Sequence, residues 1–162
     1  MLKFQTSLGS FLVELHREDA PLTCKNFLAY VESGHFDGTV FHRVIPDFVV
    51  QGGGLNADMS ARKTRAAIRN EASNGLKNRR GSLSMARTND PDSATSQFFI
   101  NLKDNPALDA GRGNAGYAVF AHVMQGLDVV DKIAAVATAT RGHHENVPVE
   151  PVVLESVTVV DA

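Results

Sequence analysis

Residues 41–54 bring together a long cation, an amide and several apolar side chains. The stretch reads Phe-His-Arg-Val-Ile-Pro-Asp-Phe-Val-Val-Gln-Gly-Gly-Gly. If Arg43 and Gln51 lie on one sheet surface among apolar groups, that surface would form a floor on which a peptide could bind. The same composition also fits an ordinary hairpin with a surface arginine. Composition alone leaves both interpretations open.

Two short strands joined by a tight turn must carry this stretch. Runs 41–45 and 48–50 are apolar and rich in β-branched residues, and Pro46-Asp47 between them is a turn pair. Alternation along the second strand places Val49 and Gln51 on the same face. The glycines at 52–54 leave the backbone bare, which permits a sharp bend or the close approach of another chain segment.

A second candidate strand, 96–102, also has an unusual face. Phe98, Ile100 and Leu102 would point into the core, and the opposite face would carry Phe99 between two amides, Gln97 and Asn101. An aromatic residue in that setting is either a harmless exposed apolar residue or part of a binding floor. The pattern favours the binding floor.

Two segments have helical spacing. The first begins at Asp19-Ala-Pro21, with Asp19 near the N-cap, and ends before Gly34. Its apolar residues form one buried stripe that includes Cys24, so we expect an unreactive thiol. The second helix is predicted at 127–137, with core positions at Val130, Ile133, Ala134 and Ala137.

The rest of the chain is predicted to consist of strands and loops with no βαβ rhythm. A hairpin should turn near Gly9-Ser10, and 55–80 and 138–151 should be loops. We therefore expect a largely antiparallel sheet, closed into a barrel whose ends are covered by the two helices. Further strands are predicted at 2–8, 11–16, 81–87, 117–123 and 152–160.

Size and charge narrow the class of protein. The chain has 162 residues and 43% hydrophobic residues, which predicts a single domain over 1–162 with its own core. A net charge of −2 disfavours a general nucleic-acid binder. A single cysteine precludes an intramolecular disulfide and suits a reducing compartment. With no secretory leader pattern and no apolar run long enough to span a bilayer, we expect a cytoplasmic protein that does not contact membranes.

Familiar catalytic motifs for nucleotide binding, nucleophilic attack and metal hydrolysis are missing from the sequence. A Ser/His/Asp triad that converges only in space stays open at this stage. His143 and His144 are adjacent, and adjacent side chains rarely converge on one ion, so we expect a solvated loop and no metal site. No cofactor is expected.

Several motifs along nearly the whole chain resemble those of the cyclophilin family of peptidyl-prolyl cis–trans isomerases, in its bacterial cytoplasmic form. They are Phe41-His-Arg-Val-Ile-Pro-x-Phe-x-x-Gln-Gly-Gly-Gly, Ser96-Gln-Phe-Phe-Ile, Pro21-x-Thr-x-x-Asn-Phe, Asn70-Glu71, Gly81-x-Leu-x-Met-Ala, Met85-Ala-Arg87, Gly116-Tyr-x-Val-Phe, Val119-Phe120 and Asp128-Val-Val. The resemblance implies a closed eight-stranded antiparallel β-barrel capped by two α-helices, with a solid interior and an external active site. It also implies a monomeric enzyme that accelerates rotation about X-Pro bonds in proline-containing peptides and in unfolded or folding proteins.

The resemblance assigns roles residue by residue. Arg43 matches the catalytic arginine, and Gln51 matches the glutamine that holds substrate backbone. The apolar pocket for the proline ring is matched by Phe48, Val49, Phe99 and Leu108. The strand along which the peptide lies is matched by Ala86 and Arg87, and the neighbours of the site are His42 and Tyr117. We expect a structural role for His42, and Tyr117 stands where many relatives have histidine.

Three residues depart from the pattern of the family. Val49 stands where many relatives have methionine, and Arg87 where many have asparagine. Ala107 stands where animal relatives have tryptophan, so the resemblance predicts weak cyclosporin binding.

A non-enzymatic module that holds proline-containing segments is the main alternative, although binding alone does not require Arg43. A hydrolase or metal enzyme is disfavoured because no nucleophile or ligand cluster is recognisable.

Overall fold

The computed structural model describes residues 1–160, which are mainly β-structure with two α-helices. The helices are α1 (Pro21–Glu32) and α2 (Leu127–Ala134), and two 3-10 turns lie at Ala72–Asn74 and Pro106–Leu108. The strands are β1 (Leu2–Thr6), β2 (Gly9–Leu15), β3 (Thr39–Val40), β4 (Arg43–Ile45), β5 (Val49–Gly52), β6 (Ser82–Met85), β7 (Phe98–Asn101), β8 (Val119–Gln125), β9 (Thr138–Arg141), β10 (His144–Pro148) and β11 (Val153–Val159).

Nine of these strands form one curled antiparallel sheet in the order β3-β11-β1-β2-β8-β6-β7-β5-β4. Its two edge strands, β3 and β4, are separated in sequence only by Phe41 and His42. The predicted mainly β, antiparallel fold with two helices is therefore confirmed. The sheet has nine strands rather than eight because the chain bends at Phe41, whose N–H donates to Val152 O at 3.0 Å.

Aromatic side chains fill the concave side of the sheet. The ring centroids of Phe4, Phe27 and Phe98 lie 5.6 to 6.2 Å from one another, and all three side chains are fully buried. Apolar residues of both helices belong to the same core. Because the interior is packed with side chains, a binding site must lie on the outer surface of the sheet.

The first turn of α1 is capped by a residue far along the chain, while Asp19 lies, as predicted, next to the N-cap position. The N-cap residue Ala20 makes no side-chain cap. Instead, the carboxylate of Glu71 accepts hydrogen bonds from the Leu22 N–H at 3.3 Å and the Thr23 N–H at 2.7 Å. These N–H groups have no partners within the helix, so a carboxylate satisfies them and complements the helix dipole.

Other predictions for α1 are confirmed. Gly34 follows the helix end with φ of 71°, a left-handed conformation that favours glycine. Cys24 is buried, and this burial raises the pKa of its thiol to about 11. The thiol therefore stays protonated at neutral pH, and a protonated, buried sulfur is a poor nucleophile.

Three predictions about where secondary-structure elements lie are wrong. The first hairpin turns at Ser7 and Leu8, not at Gly9-Ser10, because the Thr6 hydroxyl accepts from the Leu8 N–H at 3.1 Å and donates to Gly9 O at 2.7 Å. Helix α2 ends at Ala134, which leaves Ala137 exposed beyond it. The predicted loop at 138–151 contains the β9–β10 hairpin, which forms a separate two-stranded sheet beside β4.

Neither helix within residues 1–160 is long and apolar enough to cross a membrane.

Candidate active site

The strand register gathers the predicted site residues on one outer face of the sheet. Arg43 of β4 is paired directly with Gln51 of β5, and Gln51 is paired in turn with Phe99 of β7. Directly opposed residues of antiparallel strands share a face. The cation, the amide and the aromatic ring therefore form a row across three neighbouring strands.

A tight turn places Phe48 beside this row. The Phe48 N–H donates to Ile45 O at 3.1 Å across Pro46 and Asp47, and Asp47 has φ of 60°. This confirms the predicted turn between the two strands. Val49 begins β5 two residues before Gln51, so it lies on the same face and continues the apolar surface from Phe48.

The glycines after Gln51 are required by close packing. A Cβ atom at Gly54 would lie 2.5 Å from Cγ of Gln97, and one at Gly52 would lie 2.9 Å from Val40 O. Neither separation is possible for real side chains. The predicted close approach of another chain segment is confirmed, and it brings Gln97 against the end of β5.

Three polar side chains form a continuous chain of hydrogen bonds. Arg43 Nη1 donates to Gln51 Oε1 at 3.1 Å, and Gln51 Nε2 donates to Gln97 Oε1 at 3.0 Å. Gln51 keeps one free N–H and one free lone pair, and the guanidinium keeps four N–H groups beyond this bond. Among residues 1–160, no carboxylate lies within ion-pair distance of Arg43.

The opposite wall is built from stacked side chains. The guanidinium of Arg87 lies 4.3 Å from the ring centroid of Tyr117, and that ring meets Phe99 edge-on with centroids 5.6 Å apart. Arg87 also donates to Gly116 O at 3.0 and 3.2 Å and to Thr88 O at 2.9 Å. Arg87 is thus held by backbone carbonyls on both sides and keeps Tyr117 in place by a cation–π contact.

A buried network of amide side chains lies behind the site. Asn101 Nδ2 donates to Asn78 Oδ1 at 3.1 Å and to Ser82 Oγ at 2.9 Å, and Asn101 Oδ1 accepts from Asn105 Nδ2 at 2.9 Å. Asn105 Nδ2 also donates to Phe48 O at 3.1 Å, and Asn78 Nδ2 donates to Leu108 O at 3.2 Å. The network therefore ties the backbones of two apolar site residues to the sheet.

These elements enclose a cavity of about 200 Å³ on the outer surface. Nine of the ten site residues predicted from the sequence line it: Arg43, Phe48, Val49, Gln51, Ala86, Arg87, Phe99, Leu108 and Tyr117.

His42, the tenth predicted residue, is not brought to the cavity. Its side chain is only 7% exposed, and its Nδ1 atom has no hydrogen-bond partner in the described residues. Burial, followed by the positive charges of His144 and Arg43, lowers the pKa of His42 to about 4. His42 is therefore neutral at physiological pH and adds no charge beside Arg43.

Sequence reasoning did not include Gln97, Asn78, Asn101 or Asn105 among the site residues. The alternation in 96–102 does place Gln97 and Asn101 on the same face as Phe99, so the signal for these two was present. Asn78 and Asn105 lie in segments without periodic pattern, and nothing in the sequence points to their contacts.

The residues that line the cavity can bind a ligand and polarise its polar groups. The lining residues provide an apolar surface beside a guanidinium and an amide, and they include neither a thiol nor a carboxylate. In the part of the chain that the structure describes, no group of three or more His, Cys, Asp or Glu residues is arranged to hold a metal ion.

Comparison with known proteins gives the class. The family model described as cyclophilin type peptidyl-prolyl cis-trans isomerase matches residues 1–159. A crystal structure of a cyclophilin type isomerase from Cryptosporidium parvum, determined in the presence of the dipeptide Ala-Pro, superposes with a TM-score of 0.80 at 26% identity and covers 99% of both chains. The chain therefore belongs to the cyclophilin-type peptidyl-prolyl cis–trans isomerase family, and it is an enzyme of that class.

Bacterial isomerases are similar over almost their whole length. A peptidyl-prolyl cis-trans isomerase of Acinetobacter baylyi is 55% identical over 159 residues, which is 98% of this chain and 85% of the relative. Peptidyl-prolyl cis-trans isomerase B of Escherichia coli is 50% identical over 162 residues, 98% of this chain and 99% of the relative. These likenesses confirm the family that the sequence motifs indicated.

Proposed function

We propose that Arg43 accelerates X-Pro isomerisation by stabilising the twisted amide of the transition state. Amide resonance sets a barrier of about 18–20 kcal/mol, so uncatalysed isomerisation takes on the order of 10–100 s. When the bond twists, its nitrogen loses resonance and gains a lone pair. A fixed donor near that nitrogen binds the twisted state better than the planar one, which is the requirement for catalysis.

The arginine needs help from the apolar pocket. A charge-assisted hydrogen bond contributes roughly 1.5–3 kcal/mol, whereas a ten-thousandfold acceleration requires about 5.4 kcal/mol. We propose that Phe48, Val49, Phe99 and Leu108 grip the proline ring while the preceding carbonyl rotates. These apolar side chains would also exclude water around Arg43 and so strengthen its hydrogen bond.

Gln51 would have two roles in this mechanism. Its Oε1 atom accepts from Arg43 Nη1, which orients the guanidinium. Its remaining N–H and lone pair are free to pair with substrate backbone, so both roles are compatible with the capacity of one amide. Gln97 fixes the same amide from the other side and leaves it a single orientation.

We propose that the substrate is an extended proline-containing segment of a peptide or of a folding protein. A second depression continues from the cavity past Gln51, Ala86 and Arg87, and Ser93 and Thr95 also line it. Residues on either side of the proline could therefore lie along this surface. The segment 86–87 is the part of the wall along which we place the peptide, and Tyr117 closes the pocket beside it.

Cyclosporin binding should be weak. Ala107 is exposed next to the pocket residue Leu108 and offers only a methyl group. A large aromatic contact that related enzymes provide at this position is therefore missing.

The enzyme should act as a monomer in the cytoplasm. Its large exposed apolar side chains, such as Leu22 in α1 and Val149 after β10, lie in separate segments of the chain and do not suggest a contact surface. The free thiol of Cys24 suits a reducing compartment. Light scattering coupled to size-exclusion chromatography should give a mass near 17.4 kDa, and a mass near twice that value would contradict the monomer.

The single observation that carries the mechanism is the position of Arg43 in the cavity, bonded to Gln51 and free of any carboxylate among residues 1–160. Two-dimensional exchange NMR on a short Ala-Pro peptide tests it in the wild type and in Arg43→Ala. Fast exchange should be lost in the variant while the peptide still binds. Near-normal exchange in Arg43→Ala would overturn the mechanism, and binding without exchange in the wild type would favour a binding module.

A further inference from the structure

The motif Asn70-Glu71 lies outside the catalytic cavity, and the capping of α1 explains only its glutamate. The asparagine has a bonding pattern of its own. Asn70 Nδ2 donates to Gly116 O at 2.9 Å, and Asn70 Oδ1 accepts from the Ala72 N–H at 2.7 Å. The backbone N–H of Asn70 donates to Asp92 Oδ1 at 2.8 Å. The bond to Gly116 O is the one that leads towards the cavity.

The carbonyl oxygen of Gly116 is shared between Asn70 and the wall of the cavity. It also accepts from Arg87 Nε at 3.2 Å and from Arg87 Nη2 at 3.0 Å. These two bonds hold the guanidinium over the ring of Tyr117. A carbonyl oxygen has two lone pairs, so these three N–H groups fill its capacity. Asn70 and Arg87 therefore fix the direction of this carbonyl together.

The peptide unit between Gly116 and Tyr117 also reaches the cavity through its other end. The N–H of this unit belongs to Tyr117 and donates to Leu108 O at 2.9 Å. A peptide unit is planar, so its oxygen and its N–H can only turn together. One rigid unit is thus bonded to Arg87 and Leu108 and carries Tyr117, and all three of these residues line the cavity.

The backbone at Gly116 does little to restrain this unit. Its φ is 77°, in the left-handed region, and a Cβ atom at this position would collide with the backbone of Ala110. The position therefore requires glycine, which allows wide rotation of the peptide units beside it. The orientation of the Gly116–Tyr117 unit must come from its hydrogen bonds, and Asn70 supplies the donor that is not itself part of the cavity wall.

We propose that Asn70 is a positioning residue of the isomerase, which fixes the Gly116–Tyr117 unit and, through it, the wall formed by Arg87, Tyr117 and Leu108. This inference rests on the proposed function, in which the wall holds the substrate. Without the Asn70 bond the unit can turn away, and Arg87 then loses two of its carbonyl contacts.

The effect should fall on substrate affinity and spare the rate of the bound peptide. Arg43 and Gln51 lie on β4 and β5, and they are bonded to each other without involvement of Gly116. A wall that is poorly positioned weakens contacts made equally to the planar and the twisted substrate, and loss of such uniform binding raises KM with kcat unchanged.

The structure offers a matched control in Asn74, which is half-buried like Asn70. Asn74 Nδ2 donates to Val119 O at 3.2 Å, and Asn74 Oδ1 accepts from the Leu76 N–H at 3.0 Å. The bonding pattern is the same, but Val119 does not line the cavity. A serine at either position can still accept from the N–H two residues on and is too short to reach the distant carbonyl. Asn70→Ser and Asn74→Ser therefore remove equivalent bonds.

Exchange NMR on the short Ala-Pro peptide gives the affinity and the rate of the bound peptide separately. In Asn70→Ser the Kd should rise about fivefold, the effect of one neutral hydrogen bond, with the rate of the bound peptide within about twofold of wild type. Asn74→Ser should retain both values. An unchanged Kd in Asn70→Ser, or an equal rise in both variants, would overturn the proposal.

The Arg87 Nε–H signal tests the positioning without reference to turnover, and Arg87→Gln assigns this signal. Because Nε–H donates to Gly116 O, it should exchange with water about fivefold faster in Asn70→Ser and at the wild-type rate in Asn74→Ser. An Nε–H that keeps its exchange rate in Asn70→Ser would refute the positioning role. If the signal responds as expected while the wild type does not isomerise the peptide, the positioning role is supported and the proposed function fails.

Discussion

Arg43 and Gln51 face each other as a directly opposed pair of β4 and β5, and Arg43 Nη1 donates to Gln51 Oε1 at 3.1 Å. A guanidinium on a long side chain ordinarily samples many rotamers. Here the neighbouring strand provides the acceptor, and Gln97 holds that acceptor from behind. The cation is thus oriented before substrate binds, which is the electrostatic preorganisation that the proposed mechanism requires.

Removing this acceptor should impair catalysis more than binding. In Gln51→Leu, the guanidinium loses a charge-assisted hydrogen bond of roughly 1.5–3 kcal/mol, so the exchange rate of the bound peptide should fall about tenfold or more, while the loss of a substrate-backbone partner lowers the affinity by less. Line-shape NMR on an Ala-Pro peptide separates the exchange rate from the affinity. Gln125→Leu, at the exposed end of β8, is the control and should keep wild-type rates. An unchanged exchange rate in Gln51→Leu would count against an orienting role.

The amide network behind the cavity should support both folding and substrate affinity. Asn101→Leu leaves Asn78 Oδ1, Ser82 Oγ and Asn105 Nδ2 without one partner each. We expect the free energy of unfolding to drop by about 3 kcal/mol, because each unsatisfied buried group costs about 1–3 kcal/mol. KM should rise more than kcat falls, since Phe48 and Leu108 lose their support.

Urea unfolding and peptide kinetics measure the two effects of Asn101→Leu. Asn89→Ala, at an exposed position in the turn after Arg87, is the matched control and should change neither quantity. If Asn101→Leu lost stability but kept its KM, the network would be a folding feature without influence on the pocket.

Restoring an aromatic ring at position 107 should strengthen cyclosporin binding. A tryptophan that buries about 50 Å² against the ligand would contribute roughly 1.3 kcal/mol, or about tenfold in affinity. Calorimetric titration of Ala107→Trp measures this gain. Ala66→Trp adds the same ring at an exposed position outside the cavity and should leave the affinity as it is. Tight cyclosporin binding by the wild type would contradict the assigned role of Ala107.

Protonation of His42 should destabilise the fold as pH falls. Its pKa is about 4 in the folded state and about 6.5 in the unfolded chain, so the unfolded state binds more protons between these values. Stability is therefore complete above pH 6.5 and declines as pH drops towards 4. The free energy of unfolding should decrease by about 2 kcal/mol from this group between pH 7 and pH 5.

Urea unfolding at several pH values, with an NMR titration of the His42 ring, measures this dependence. His143→Gln changes a nearby exposed histidine and should retain the wild-type pH dependence. A His42 ring that titrates near pH 6.5 in the folded protein would show that its burial does not control its charge.

The local features of the site were readable from the sequence because they depend on alternation and turn chemistry. Val49 and Gln51 share a face through the period of two in a strand, and Pro46-Asp47 defines the turn that precedes them. Phe99 between two amides marked the neighbouring strand as part of the same surface. The family motifs then aligned these strands, and nine of the ten predicted residues line one cavity.

Contacts between distant segments were decided only by the tertiary structure. Glu71 caps a helix that begins 50 residues earlier, and Asn78 joins the backbone of Leu108 to the sheet. Strand β9 is exposed throughout, and neither strand of the β9–β10 hairpin has an apolar alternation to reveal it, so the sequence predicts a loop there.

His122 and Met124 show the same difference between local patterns, which the sequence reveals, and contacts between distant segments, which only the tertiary structure decides. Their spacing of two residues was visible in the sequence, but His16 and Glu14 reach them only because β2 pairs with β8. A sequence pattern reports which face of its own strand or helix a side chain occupies. Which segments pair is decided by the burial of the whole core, whose energy is summed over many residues far apart in the chain.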